Sequence, residues 1–344
     1  MNEIVVISGK GGTGKTSLLA SFAALAGNVV LADCDVDAAD LHLLLAPTVK
    51  RREEFRCGRE AVIVQEVCIR CGACLARCRF GAVLRVRGGD GTPVPTVSCK
   101  DCDFCVRSCP VKAIDFIQAM KDTCVSVDEA MFVIDPTACE GCGVCVHACP
   151  AQAIAFPERV SGEWLVSDTR YGPMVHARLE PGGENSGKLV SQVRTVAREL
   201  AKERQADWIL ADGPPGVGCP VIASVSGVNL VVVVTEPTVS GAHDLGRVLE
   251  LTRHFGIPAA VCVNKWDINP EMTERIEAAA TVAGASLAGR VRYDRTVTAA
   301  QVEGKTVVEV ATAGAGIGAD IRAVWERVRA TLATPRVEAV EVRS

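Results

Sequence analysis

Aromatic residues are scarce in this 344-residue chain: eight Phe, four Trp and two Tyr, 4% of the total. A core built without them must come from Val, Ala, Leu and Ile, and hydrophobic residues at 49% suffice for a sizeable one. Such aliphatic runs suit the strands of a parallel sheet buried on both faces. Long apolar runs are missing as well. No uncharged apolar stretch of about 18 residues occurs, so no transmembrane helix is expected. Charge is not concentrated either: the net charge is −4, with no basic face or tail. That removes the electrostatic case for nucleic acid. Met1-Asn2-Glu3 lacks a basic region and runs directly into apolar sequence, so no signal peptide is read there and a cytoplasmic location is expected. In a reducing compartment the 17 cysteines are expected to be metal ligands rather than disulfides.

What is present falls into an α/β rhythm with an interruption. Residues 3–8, 29–32, 174–179, 208–211, 230–235 and 259–263 read as strands. Helices are predicted over 15–26, 187–205, 241–255, 270–283 and 317–332, with 335–344 fraying. This alternation predicts a doubly wound parallel sheet with ligands at the carboxyl ends of its strands. The polar stretch 50–59 breaks the rhythm, and 14 of the 17 cysteines then fall between Cys57 and Cys149. Three domain segments are therefore expected: 1–56 and 161–344 as one α/β domain, and 57–160 as a small inserted α+β domain.

Gly9-Lys10-Gly11-Gly12-Thr13-Gly14-Lys15-Thr16 fits G-x-x-x-x-G-K-[ST] between a predicted strand and helix. Glycines let the backbone curl so that successive N–H groups converge on phosphate oxygens, with the helix N-terminus adding partial positive charge. Lys15 is expected on the β/γ-phosphates and the Thr16 hydroxyl on Mg2+. Asp212 ends an apolar strand before a glycine–proline turn, where an unpaired buried carboxylate is costly, so a metal-shell role is expected. Asp37 and Asp40 are equally well read as capping or solvated acids. Asn264-Lys265-Trp266-Asp267 also fits the guanine-reading N-K-x-D pattern, which keeps GTP open beside ATP.

The cysteine window repeats itself three times. Cys68, Cys71, Cys74 and Cys78 form one C-x2-C-x2-C-x3-C run; Cys99, Cys102, Cys105 and Cys109 a second; Cys139, Cys142, Cys145 and Cys149 a third. The second and third end in Cys-Pro, as the bacterial 4Fe–4S ferredoxin run does. Three cysteines two residues apart can face three irons of one cube, and the fourth can reach a neighbouring cube. Zn(Cys)4 sites also use C-x2-C pairs, but usually two separated pairs. Three clusters are expected, two at least. Each run either closes on itself or exchanges its last cysteine with another. Cys57 and Cys124 stand outside the runs and are read as apolar filler or as replacement ligands.

The two-lysine loop resembles the deviant Walker A motif of the MinD/ParA class, which includes the nitrogenase iron protein. That resemblance implies a nucleotide-sandwich homodimer in which Lys10 reaches the partner's phosphates. It also implies slow, partner-stimulated hydrolysis. The stretch 31–35 looks like switch I, with Asp35 orienting the attacking water. The stretch 208–216 looks like Walker B and switch II, with Asp212 in the Mg2+ shell and Gly216 sensing the γ-phosphate. By the same resemblance Gly9, Gly11, Gly12, Thr13, Gly14, Lys15, Thr16 and Ser17 cradle the nucleotide, Asn264 meets adenine, and ATP is favoured over GTP. Nearly the whole chain resembles MinD-superfamily P-loop ATPases with an inserted ferredoxin domain, some labelled cobyrinic acid a,c-diamide synthase-like. Their insertion usually carries two cysteine runs, so the middle run is extra here. Cys219 resembles a cluster-bridging cysteine of the nitrogenase iron protein, yet 181–188 holds no second cysteine to complete a bridge. The implied function is a switch gating electron transfer with a redox or client protein. A cluster or metal carrier, and a positioning ATPase, are the alternatives. Residues 337–344 are too short and acidic for a membrane-anchoring helix.

Overall fold

Val5 and Ile7 face one side of a large sheet and Ile4 and Val6 the other, the two-residue alternation of a strand covered on both faces. The computed structural model describes residues 1–87, 130–180, 183, 186–312 and 314–333. Among these the strands are β1 (Asn2–Ser8), β2 (Val29–Asp33), β3 (Thr48–Arg59), β4 (Val62–Ile63), β5 (Val83–Arg87), β6 (Ala130–Ile134) and β7 (Ile154–Ala155). The chain continues with β8 (Glu158–Asp168), β9 (Pro173–Leu179), β10 (Trp208–Pro215), β11 (Leu230–Thr235), β12 (Ala259–Asn264) and β13 (Ser286–Val291). Contacts divide the chain into two units, Met1–Phe55 with Gly162–Ser344, and Arg56–Ser161.

The first unit is built on the nine-stranded sheet, in the order β13-β12-β11-β1-β10-β2-β9-β8-β3. Every pairing from β13 through β9 is parallel, while β8 runs antiparallel to β9. Helices Ser186–Glu203, Cys219–Val225, Val239–His254 and Pro270–Val282 cover one face. Helices Lys15–Ala26 and Gly316–Ala333 cover the other. The expected doubly wound α/β sheet is therefore present.

Local chemistry sets several helix starts. Thr238 accepts a hydrogen bond from the Gly241 N–H, and Asn269 accepts one from the Met272 N–H with Pro270 in the first helical position. A buried charge network locks the helices below the site. Glu3, 6% exposed in β1, accepts from Arg194 at 2.9 and 2.7 Å and from Arg198 at 2.7 Å. Arg194 also donates to the carbonyls of Ala223 (2.6 Å) and Ser226 (2.9 Å), satisfying the end of helix Cys219–Val225.

The stretch 50–59, expected to interrupt the rhythm, is instead part of β3. Its charged residues are exposed at a sheet edge, where charge discourages further pairing, so no hydrophobic alternation marks it. β8 and β13 and the short helix Cys219–Val225 also went unpredicted. Residues 335–344 lie outside the described residues.

In the second unit β4 pairs with β7 and β5 with β6, both antiparallel. Helices Ala73–Arg77 and Val144–Ala148 each follow a cysteine loop, and each is preceded by a left-handed glycine, Gly72 (φ 71°) and Gly143 (φ 72°). Ala61, Ile63, Cys74, Val83, Phe132 and Ile154 form its small core.

Trp325 is 2% exposed and packs on Phe22 and Trp208 with ring centroids 5.1 and 5.2 Å away. Trp325→Ala is expected to lower stability by about 3–5 kcal/mol in denaturant melts. Burial also pulls the His176 imidazole down to about 4 from 6.5. Between those values the unfolded chain binds the extra proton, so His176 contributes stability above pH about 6.5 that is lost as pH falls towards 4. Melting curves of His176→Gln should lack that part of the acid-side decline.

Candidate functional site

The carboxyl ends of β1, β2 and β10 converge on a cleft of about 490 Å3. Gly11, Gly12, Gly14, Lys15, Thr16 and Ser17 line one wall, and Asp35 and Asp40 face them. Gly14 sits at φ 89°, and a Cβ there would come within 2.5 Å of Asn264 Nδ2, so any other residue would strain the backbone and displace Asn264. Asn264 braces the loop by donating to the Thr13 carbonyl at 2.8 Å. The Ser8 hydroxyl holds the Lys10 carbonyl at 2.7 Å. Gln301, from helix Thr296–Val302, donates to the Ser17 hydroxyl at 2.8 Å.

Three carboxylates surround one ammonium at the cleft floor. Lys15 Nζ lies 2.8 Å from Asp35 Oδ2, with both side chains nearly buried. Burial works against the lysine's charge, but Asp212, Asp35 and Asp33 outweigh it and raise its pKa. Asp212 is 1% exposed; burial pushes its carboxyl up to about 6, against the pull of Lys15 and the Thr16 hydroxyl, which donates to Oδ2 at 2.5 Å. Asp33, paired in register with Asp212 across β2 and β10, is pushed well up by burial and by Asp212. It accepts from the N–H groups of Asp35 (3.2 Å) and Leu41 (3.3 Å). Asp212 Oδ1 and the Thr13 hydroxyl are buried with no hydrogen-bond partner among the described residues. A buried, unpartnered carboxylate oxygen beside the Thr16 hydroxyl is oxygen chemistry suited to a divalent cation such as Mg2+.

Lys10 points elsewhere. Its ammonium lies 3.3 Å from Glu236 Oε2, 3.4 Å from the Thr238 hydroxyl and 3.3 Å from the Ser240 hydroxyl. Lys265 takes the other Glu236 oxygen at 2.5 Å. Burial opposes the Glu236 charge, yet Lys265 and Lys10 hold its carboxyl below the usual range. Gly9 is needed here because a Cβ would run into Asp244. Gly216 donates its N–H to the Ser8 carbonyl at 2.9 Å, which ties the loop after β10 to the P-loop. Asp37 is exposed and lies away from the cleft lining. Sequence reasoning missed Glu236 as the holder of Lys10 and Gln301 as the partner of Ser17. A Glu-Pro-Thr turn after an apolar strand signals the first, but no local pattern signals the second.

In the unit Arg56–Ser161 the first and third cysteine runs come together. One cavity is lined by Cys68, Cys71, Cys74 and Cys149, and a second by Cys139, Cys142, Cys145 and Cys78. Each therefore meets three cysteines of one run and the last cysteine of the other. All eight are free of disulfides. Backbone N–H groups already serve the sulfurs: Ala153 donates to Cys149 Sγ at 3.3 Å. Burial opposes a thiolate at Cys78, but the N–H groups of residues 80–83 prevail and lower its pKa. Burial raises Cys74 and Cys145. No group of three or more His, Cys, Asp or Glu side chains among the described residues is placed to hold a metal ion as the side chains stand. Cys99, Cys102, Cys105, Cys109 and Cys124 lie outside the described residues. Cys57 is buried, with its carbonyl accepting from the Ser161 hydroxyl at 2.6 Å, whereas Cys219 is exposed at the start of its helix.

Comparison with known proteins agrees with the α/β site. Residues 4–307 match the CobQ/CobB/MinD/ParA nucleotide binding domain family. An uncharacterized protein of Methanocaldococcus jannaschii is 34% identical over 270 residues, 78% of this chain and 79% of that one. A ferredoxin of Pyrobaculum islandicum is 45% identical over 53 residues, 15% of this chain and 49% of its own length. Among solved structures, the septum site-determining protein MinD of Pyrococcus horikoshii, complexed with Mg-ADP, shares the fold at TM-score 0.50 and 14% identity. That match covers 95% of each chain. No helix among the described residues is long and apolar enough to cross a membrane. The match across most of its length, over a P-loop backed by a mostly parallel sheet, makes the chain a member of the CobQ/CobB/MinD/ParA nucleotide-binding family and a P-loop ATPase.

Proposed function

We propose that this ATPase is a cytoplasmic homodimeric switch that carries 4Fe–4S clusters on the unit Arg56–Ser161 and couples its nucleotide state to electron transfer with a partner protein. The observation that carries the cluster reading is the lining of the two cysteine cavities. Three thiols from one run and the fourth from the other is the ligand set of paired ferredoxin cubes. Cys68, Cys71, Cys74 and Cys149 would hold one cluster, and Cys139, Cys142, Cys145 and Cys78 a second. The middle run, outside the described residues, would supply the third expected from the sequence. Bound there, the clusters would provide one-electron sites.

The cleft residues suit a switch that changes partners. Phosphates entering the P-loop would draw Lys15 away from Asp35, leaving that carboxylate to orient the attacking water. Thr16 and Asp212 would hold Mg2+, with Asp212 Oδ1 already lacking a partner. The γ-phosphate would be sensed at Gly216, whose N–H donates to the Ser8 carbonyl at 2.9 Å. Lys10 would leave Glu236 to meet the phosphates of a second copy across a shared nucleotide interface. Asn264 would lie beside adenine while it braces Thr13. ATP is favoured over GTP on the resemblance to the MinD/ParA class.

Anaerobic purification with iron and sulfide assays should find about four of each per cluster. Cys149→Ala should abolish the same paramagnetic signal as Cys68→Ala, and Cys78→Ala the same signal as Cys142→Ala; unchanged iron content in all four would refute the cluster reading. Lys15→Ala should lose ATP binding and any shift of cluster potential produced by a non-hydrolysable ATP analogue. Transfer of intact clusters to an apo-acceptor, with no such shift, would mark a carrier instead. Glu236→Gln should free Lys10, raising its acetylation rate severalfold by mass spectrometry. Equal labelling would mean that the Glu236 contact does not restrain it.

A further inference from the structure

The segment that walls the nucleotide cleft has a second side. Asp35, Asp40 and Leu44 line the nucleotide cleft, while Val36, Asp37 and His42 of the same segment line another cleft of about 380 Å3. That volume lies within the range of small-molecule sites. Its opposite wall comes from neighbouring edge strands of the same unit, β9, β8 and β3.

The chemistry of that wall is specific. Glu163 on β8 stands in register with Arg178 on β9, and Arg178 donates to its Oε1 at 2.8 Å. Arg52 on β3 approaches the other oxygen at 3.4 Å. Glu163 is nearly buried, at 15% side-chain exposure, while the two guanidinium groups are 60% and 66% exposed. One carboxylate on the middle strand thus holds two arginines, one from each flanking strand, each spending a single terminal nitrogen on it. An arginine fork carries five N–H donors in one plane, matched to the paired oxygens of carboxylates and phosphates. His176, on the same face of β9 as Arg178, is bonded to the Ser167 hydroxyl at 2.8 Å and stays neutral near pH 7. The positive charge of the wall therefore comes from the arginines. Leu165 supplies an apolar floor.

We infer that this cleft is a regulatory site for a small molecule bearing a carboxylate or phosphate group, held by Arg52 and Arg178 and read by the segment that carries Asp35. A ligand there touches Val36 and Asp37, the residues directly following Asp35. It acts on ATP turnover by favouring one arrangement of that segment over another, and it does so without entering the nucleotide cleft. Linkage makes the effect mutual: whatever factor the ligand applies to nucleotide affinity, nucleotide applies to the ligand. The inference rests on the ATPase alone and is independent of the clusters.

The test uses the full chain, prepared anaerobically, with succinate as the carboxylate probe and glycerol 3-phosphate as the phosphate-ester probe. Sodium chloride at matched ionic strength corrects for screening. Calorimetry should detect binding of at least one probe, and the stronger one names the group preferred. Arg178→Ala and Arg52→Ala should each weaken that probe by about tenfold or more, the loss expected for a charged hydrogen-bonding partner. Arg178→Lys should recover only part of the loss, because the fork is gone while the charge remains. The affinity of an ATP analogue without probe should match wild type in all three variants. With analogue bound, the probe's affinity should shift severalfold. Neither probe binding above the salt control, equal affinity in the arginine variants, or no mutual shift with nucleotide would each overturn the inference.

Discussion

A lysine ammonium buried among three carboxylates is the constraint around which this site is organised. Lys15 is compensated by Asp212 and by Asp35, which it meets at 2.8 Å, while Asp33 and Asp212 face each other across two adjacent parallel strands. The count is uneven, one positive charge against three acids, and burial pushes both Asp33 and Asp212 upward. A buried ion pair adds little net stability because desolvation offsets its Coulomb energy. Its value here is poise. The arrangement carries surplus negative charge and an unpartnered oxygen where a cation and a phosphate chain would relieve both.

The surrounding fold exists to hold that arrangement still. β1 pairs on both sides, with β10 and β11, so the P-loop springs from a strand with no freedom to shift. Asn264 reaches from β12 to the Thr13 carbonyl across a gap that a Cβ at position 14 would enter. Beneath, Glu3 and its two arginines connect β1 to helix Ser186–Glu203, and Arg194 alone reaches the end of helix Cys219–Val225. The loop after β10 is therefore anchored below while its Gly216 is tied to Ser8 above. Two lysines of one short loop are kept apart by separate acids, Lys15 by Asp35 and Lys10 by Glu236. That separation lets each respond to a different event.

The cysteine unit solves a different problem with little material. Among its described residues the core is six buried side chains, and two short helices with matching left-handed glycines repeat one loop conformation twice. Antiparallel pairing of β4 with β7 and of β5 with β6 brings the last cysteine of each run to the cavity of the other. The exchange follows from the pairing, since each run's final cysteine leads into a strand that crosses to the opposite half.

Much of this was legible from residues alone. The P-loop announces itself through glycine spacing, because converging N–H groups demand that spacing whatever the rest of the chain does. Valine-rich runs such as 230–235 identify buried strands for the same local reason. The charged edge strand β3 escaped because an exposed edge has no alternation to display, and β8 escaped with it. The cysteine runs could be counted, and ligands to a cube inferred, from spacing within each run. Which run exchanged with which was a matter of strand pairing, a long-range property that no spacing encodes. The same holds for Glu236, which lies 226 positions after Lys10, for Gln301 beside Ser17, and for the two arginines gathered on Glu163. By itself, then, the sequence determined the phosphate loop, the buried strands and the cysteine inventory, each set by contacts between near neighbours in the chain. Only the tertiary structure decided which acid restrains which lysine and which thiols share a cavity, because those contacts exist only once distant segments are packed together.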